Sequence, residues 1–409
     1  MKPKGSQRTE FQKQWRPYTR TVHSGEHGVK YADALTVPIV QTSTFVFHST
    51  EEIKRYTSKR LIRYEYARYG NPTQEAAEKK LANLEGAESC LIFDSGMSAI
   101  TTTLLALLNK GDHVILTDDV YGQTLKFCTR HLPRFSIDFT LTKMGDYPAL
   151  ERAIRPNTRI IFSESPTNPY LNIIDLERIR QIRSRKKYRG LMMIDSTFAT
   201  PYNQRPLEWG MDLVIHSATK YLAGHNEILA GAVLGRHELI DQIKDYQHAT
   251  GSIIDPHCCY LLLRGLKTAA LRVEYQNRSA MKVARFLEGH PKIRQVFYPG
   301  LPSHPHHQIA KAQMHGYGGV VSFWVKGALK QVNRFLDSLQ WIYIAPSLGG
   351  VESLITHPAT VTYYRISRKE RYALGITDQL VRLAVGIEDP EDIIADLDQA
   401  LKKMGTGRA

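Results

Sequence analysis

Cysteine is scarce in this chain of 409 residues. There are four, Cys90, Cys128, Cys258 and Cys259. No two are spaced CxxC, which speaks against a zinc or dithiol redox motif. The vicinal pair sits in an apolar run, CCYLLL, that suits buried thiols rather than a bridge. Such usage fits a reducing compartment, and the expected location is the cytoplasm. No apolar run approaches the roughly 18 residues of a membrane span. The first 20 residues are basic and polar without an apolar stretch, so they read as an arm and not as a secretory signal. The formal net charge is +14, yet no block of five consecutive basic residues occurs. The densest stretch, RIRQIRSRKKYR at 178–189, spaces its charges as a solvated helix face does. A nucleic-acid partner is therefore not expected, and small anionic ligands are the better use of the basic balance. Internal repeats and low-complexity segments are also missing.

What remains is an ordinary globular composition, 42% hydrophobic and 23% charged, in a chain too long for one compact core. Residues 1–70 hold few periodic elements and read as an N-terminal arm. From about 71 to 270 the pattern alternates. EAAEKKLANLEG (75–86) and MSAITTTLLALLNKGD (97–112) read as helices. SCLIF, HVILT, RIIFSE, LMMID and DLVIH read as apolar strands with polar residues just past their ends. That pattern predicts an α/β fold with a mostly parallel sheet flanked by helices, and ligands beyond the carboxyl ends of its strands. From about 271 to 409 a long helix and shorter elements read as a smaller C-terminal α/β domain.

Two strand ends carry the chemistry. Asp195 closes MMID, where a carboxylate is desolvated unless it meets a cation; a helix cap or a satisfied core acid is an equally good account of it alone. Lys220 follows LVIHSAT, and alone it reads as a lysine opening a helix. Ser217 and Thr219 beside it could hold a phosphate with their hydroxyls. A lysine for an aldehyde and, 25 positions earlier, an acid for a pyridine nitrogen form the arrangement that pyridoxal 5′-phosphate (PLP) requires. DSGMSAI (94–100) adds a turn where Gly96 lets the backbone come close, and the amides of Gly96 and Met97 point from a helix start at an anion. Tyr121, past the end of HVILTDD, could stack on a planar cofactor, though a core or surface tyrosine is as good a reading.

In order along the chain, YEYARYGNPT (64–73), DSGMSA (94–99), ESPTNP (164–169), IDSTFATP (194–201), HSATKYLAGH (216–225), LLRGLKT (262–268), YPGLPSHP (298–305), SLGGVES (347–353) and LVRLAVGIED (380–389) resemble the trans-sulfuration, or Cys/Met metabolism, family of PLP enzymes. The resemblance implies PLP fold type I, the aspartate-aminotransferase-like fold, in a homotetramer built from two active dimers. It implies that Lys220 is the Schiff-base lysine and proton shuttle, that Asp195 partners the pyridine nitrogen, and that Tyr121 stacks on the ring and, as a second catalytic residue, takes the substrate amine proton. Gly96, Met97, Ser217 and Thr219 are implied as phosphate ligands, with Tyr66 and Arg68 reaching the phosphate of a neighbouring subunit. Arg382 is implied as the fork for the substrate α-carboxylate, assisted by the Ser347 backbone and the Asn168 side chain.

The sequence also departs from the commoner family pattern. Pro346 precedes SLGG where many members carry glutamate. Lys126 stands near the position of a frequent arginine, and VTYY ending at Tyr364 replaces MTH. GHNEILAG (224–231) and YIAPS are similar to plant-type cystathionine γ-synthases. The implied reaction is γ-replacement, in which an activated homoserine ester and cysteine give cystathionine. The alternative is γ-elimination to 2-oxobutanoate, ammonia and a thiol. A non-catalytic homologue is not expected, because Lys220, Asp195, Arg382 and Arg68 are all present.

Overall fold

The computed structural model describes residues 15–26 and 33–405. The rest of the predicted N-terminal arm lies outside the described residues.

Seven short strands form the larger sheet: β1 (Ser89–Phe93), β2 (His113–Thr117), β3 (Asp138–Thr142), β4 (Thr158–Glu164), β5 (Leu191–Asp195), β6 (Leu213–His216) and β7 (Gly231–Gly235). Their spatial order is β1-β7-β6-β5-β4-β2-β3. Strands β2 to β6 run parallel, and β7 lies antiparallel between β1 and β6. The α/β expectation holds, with two additions: the edge strand β3 and the glycine-flanked β7 were not legible as strands.

The central strands are apolar on both faces because helices cover both. Val114, Leu116, Phe162 and Met193 meet Ala99 and Leu104 of the helix Gly96–Leu107 on one side. Ile115, Ile161, Met192 and Ile194 meet Ile179 and Ile182 of the helix Leu176–Lys186 on the other. That second helix carries the arginine-rich stretch outward, with Arg178, Arg180, Arg185 and Lys186 exposed. Expected helix bounds shift slightly. Helix Pro72–Glu85 starts earlier than 75 because the Asn71 side chain accepts from the Thr73 amide at 2.8 Å and Pro72 fits the first turn. Helix Gly96–Leu107 stops before its glycine, since Leu108 turns extended.

A second sheet follows the long helix Ala269–Gly289. It comprises β8 (Ile293–Phe297), β9 (Val320–Val325), β10 (Tyr343–Ile344), β11 (Leu354–Thr356) and β12 (Leu380–Ala384), ordered β10-β11-β12-β9-β8. Its core takes in Phe323, Phe335 and Leu397, and also Phe198 and Tyr221 from the loops above the first sheet. This shared packing fixes the loop after β6. The Tyr221 hydroxyl accepts from the Gly319 amide at 3.0 Å. The buried Arg272 guanidinium donates to the carbonyls of Tyr221 at 2.8 Å and Gly265 at 2.7 Å. Gly224 admits that guanidinium: it has φ +72°, and a Cβ there would lie 1.8 Å from Arg272 Nη1.

Residues 38–70 of the predicted arm are thinly packed, whereas Thr21, Ser24 and Glu26 are buried against the body of the chain. The helix Thr50–Thr57 buries no residue, and Ile62 is 99% exposed and Val46 70%. The four cysteines are free; Cys90, Cys128 and Cys259 are buried, whereas Cys258 is only half-buried. Among the described residues no helix is long and apolar enough to cross a membrane.

Candidate active site

The carboxyl ends of β4, β5 and β6 open into a cavity of about 560 Å³. Lys220, Asp195, Tyr121, Gly96, Met97, Ser217, Thr219, Asn168 and Arg382 all line it. The parallel strands bring all but Arg382 together because each delivers its following loop to the same edge; Arg382 reaches the cavity from the second sheet.

Asp195 is buried, and its Oδ1 accepts from the Thr197 amide at 3.0 Å and the Thr197 hydroxyl at 2.6 Å. Burial pushes its carboxyl upward, and the Thr197 donors oppose that. Thr197 Oγ1 also accepts from the Ser217 amide at 2.8 Å, tying the loop after β5 to the loop after β6. Lys220 Nζ donates to Ser347 Oγ at 3.1 Å. Burial first, and the charge of Arg382 second, hold its ammonium below the ordinary lysine range, which eases its deprotonation.

Arg382 stands on β12 and is 6% exposed. It donates to Asn168 Oδ1 at 3.0 Å and to the Ser347 carbonyl at 2.9 Å. Its Nε has no hydrogen-bond partner, and no carboxylate pairs with it among the described residues. Burial pushes its guanidinium down to about 10. A buried cation with an idle donor, facing a cavity, is arranged for an incoming anion.

The phosphate cradle is close-packed. A Cβ on Gly96 would fall 2.9 Å from Ser217 Cβ. Only glycine lets the start of helix Gly96–Leu107 approach that loop, and the first helical amides have no partner inside the helix. The Ser217 hydroxyl makes no hydrogen bond among the described residues. Thr219 differs from the expectation for its hydroxyl: that group donates to the Ala230 carbonyl at 3.2 Å and accepts from the Ala230 amide at 2.9 Å. With its one donor used, it holds the loop, and reaching an anion requires it to turn away from Ala230. Gly96→Ala is expected to destabilise the fold by about 1–3 kcal/mol through overpacking, read as a lower melting temperature, with earlier loss of bound cofactor on dialysis.

Tyr66 and Arg68 are not at this cavity. Arg68 lies 4.7 Å from the Tyr69 ring centre and donates to the His248 carbonyl. Several lining residues went unweighed in the sequence. Glu164 closes β4 and was quoted only as part of ESPTNP. Thr197 is two residues past Asp195, the spacing of a local side-chain-to-backbone turn. The Ser347 side chain, as well as its backbone, joins the site. Pro346, Tyr364 and Arg365 line the outer cavity, whereas Lys126 does not.

A half-buried lysine, a buried acid, a glycine-lined helix start and an idle guanidinium around one cavity fit PLP and an amino-acid carboxylate. The pattern of the Cys/Met metabolism PLP-dependent enzyme family matches residues 18–402. The chain is 46% identical over 387 residues to cystathionine γ-synthase 1, chloroplastic, of Arabidopsis thaliana, covering 93% of this chain and 68% of that one. It is 44% identical to cystathionine γ-lyase of Bacillus subtilis, covering 94% of this chain and 99% of that one. With L-methionine γ-lyase of Fusobacterium nucleatum it shares 42%, over 94% and 98% of the two chains. The crystal structure of metB from Corynebacterium glutamicum superposes with a TM-score of 0.89 at 35% identity, covering 96% of this chain and all of that one. The chain therefore belongs to the Cys/Met metabolism family of PLP-dependent enzymes, and its cofactor is PLP.

Proposed function

We propose that this enzyme catalyses γ-replacement, joining an activated homoserine ester and cysteine to give cystathionine. The observation that carries the amino-acid part is Arg382, the buried guanidinium with an idle Nε at the cavity wall. The synthase part rests on the 46% identity to two plant cystathionine γ-synthases. γ-Elimination stays the second reading, because lyases of 42–44% identity cover nearly the same span.

PLP, when bound, supplies an aldehyde carbon for the substrate amine and a protonated ring that withdraws electrons from it. Lys220 would anchor that aldehyde, and its Nζ, once freed, would take a proton from substrate Cα and then one from Cβ. The γ-ester group would leave as its acid anion, cysteine sulfur would bond to Cγ as the thiol gives up its proton, and protons would return to Cβ and Cα. Asp195 keeps the ring nitrogen protonated. Gly96, Met97 and Ser217 would hold the phosphate, Thr219 would join them only by turning from Ala230, and the Tyr121 ring would cover the cofactor. Arg382 grips the α-carboxylate, with Asn168 and Ser347 fixing the guanidinium.

The same reading divides the chain into an arm (1–70), a cofactor-binding domain (71–270) and a C-terminal domain (271–409). The arm belongs to the assembly, a homotetramer of two active dimers, in which Tyr66 and Arg68 complete the phosphate site of a neighbouring subunit. The exposed Ile62 and Val46 support a covering partner. Four free thiols support a reducing compartment, the cytoplasm.

Product analysis tests the reaction. Supplied with O-acetyl-, O-succinyl- or O-phosphohomoserine, the enzyme is expected to form cystathionine when cysteine is present. If cystathionine never appears, 2-oxobutanoate does, and added cystathionine is itself cleaved, the elimination reading replaces this one.

A further inference from the structure

Glu164 is a buried acid that the scheme above leaves unused. It closes β4, lines the same cavity as Lys220, and is 5% exposed. Its Oε2 accepts from the Tyr121 backbone amide at 2.6 Å, so it holds the residue whose ring faces the cavity. It is also in register with Asp195 on the parallel neighbour β5. Partners in adjacent parallel strands lie about 4.8 Å apart and project to the same side of the sheet. Two carboxyl groups so placed and so buried cannot both carry full charge.

The surroundings decide where the charge rests. Asp195 has two Thr197 donors on one oxygen, and these favour its charged form. Glu164 faces further acid: Asp195 from β5 and Asp119 from the loop after β2, with the Tyr121 amide and the Asn168 amide as its donors. The neighbouring tyrosines, Tyr121 and the half-buried Tyr363, bring no positive charge.

We propose that Glu164 is a positioning residue of the cofactor site: a neutral acid that shares one proton with Asp195, fixes Tyr121 at the cavity wall, and leaves the single negative charge on Asp195 for the ring nitrogen. A protonated carboxyl accepts the Tyr121 amide as a carboxylate does, without placing a second anion under the ring. Burial drives the Glu164 carboxyl well above its ordinary range, with Asp195 the next cause, in keeping with this state.

This inference rests on the cofactor placement of the preceding section. It is tested on the PLP-loaded enzyme by visible circular dichroism, which reads the setting of the bound cofactor, and by PLP affinity. Glu164→Ala is expected to change the visible dichroism and weaken PLP binding about tenfold, or about 1.4 kcal/mol. Glu164→Gln, which still accepts from Tyr121 and carries no charge, is expected to restore both. Glu164→Met keeps the volume without the hydrogen bond and takes the place of the alanine variant if that one fails to fold. A residue that only supports the fold lowers the melting temperature but leaves the dichroism alone, and that result overturns the proposal. So does a glutamine variant that loses affinity as badly as the alanine or methionine variant, since an ionised carboxylate would then be needed. These readouts do not depend on which product forms. A native protein that takes up no PLP would instead sink the placement itself.

Discussion

Lys220→Ala is expected to remove turnover and the visible absorption of the lysine-bound cofactor while leaving the fold intact. One positioned proton-transferring group contributes about 10²–10⁴-fold to a rate, and here one amine serves more than one carbon, so a loss of at least about 10³-fold in kcat is expected. The local geometry makes substitution by another base ineffective. Lys220 Nζ meets Ser347 Oγ at 3.1 Å, and its backbone is fixed by Tyr221, whose carbonyl Arg272 holds and whose hydroxyl Gly319 engages. Burial and Arg382 keep the ammonium below its ordinary range, so the neutral amine is accessible nearer neutral pH than on a surface lysine. Rates and the absorption spectrum check this, with far-ultraviolet dichroism as the control for folding. Persistence of the visible band in the alanine variant would place the covalent link on another residue.

The second large effect separates binding from stability. Arg382→Leu is expected to lower kcat/KM by about 10²–10³-fold, since truncating one partner of a buried charged contact costs about 2–5 kcal/mol. Much of the loss is expected in KM, as the guanidinium grips a group that does not react. The melting temperature of the free protein is expected to stay level or rise. In the absence of substrate Arg382 is a buried cation with an idle Nε and no carboxylate among the described residues, and removing it relieves a desolvation cost that offsets its lost bonds to Asn168 and the Ser347 carbonyl. Arg382→Lys should recover little activity, because a single ammonium cannot reproduce the planar fork toward Asn168, Ser347 and a carboxylate together. A lost melting temperature with unchanged KM would mark Arg382 as a structural residue.

The strands that deliver the site were legible because they are continuous apolar runs with polar residues at one end. SCLIF, HVILT, RIIFSE, LMMID and DLVIH lie at β1, β2, β4, β5 and β6. Strands β3 and β7 were missed for physical reasons. β3 is the sheet edge and has only one buried position, Thr142, with no regular alternation. β7, GAVLG, is short, and its glycines serve close packing: a Cβ on Gly231 would lie 2.1 Å from the Ser95 carbonyl oxygen. Such a requirement is set by a neighbour far away in sequence and leaves no local periodicity.

The candidate site divides in the same way. Lys220, Asp195 and the Gly96 turn stood out because each follows an apolar strand, where a polar group needs a reason. Glu164 was equally placed but remained one letter in a motif until the β4–β5 register set it beside Asp195. Arg382 is the opposite case. Nothing near it in sequence says what it faces; it comes from the second sheet, and packing across the shared core carries it to Asn168, 214 positions away.

By itself the sequence determined the α/β class, the family and PLP as the cofactor, and it singled out Lys220 and Asp195 as the candidates to bracket it. These are local signals, written as strand ends and motifs. Only the tertiary structure decided which groups meet: Thr219 spent on Ala230, Ser347 beside Lys220, Glu164 against Asp195, and Tyr66 and Arg68 away from their own cavity. The physical reason is that hydrogen bonds and buried charges are satisfied between segments distant along the chain, and those pairings exist only once the two sheets have packed.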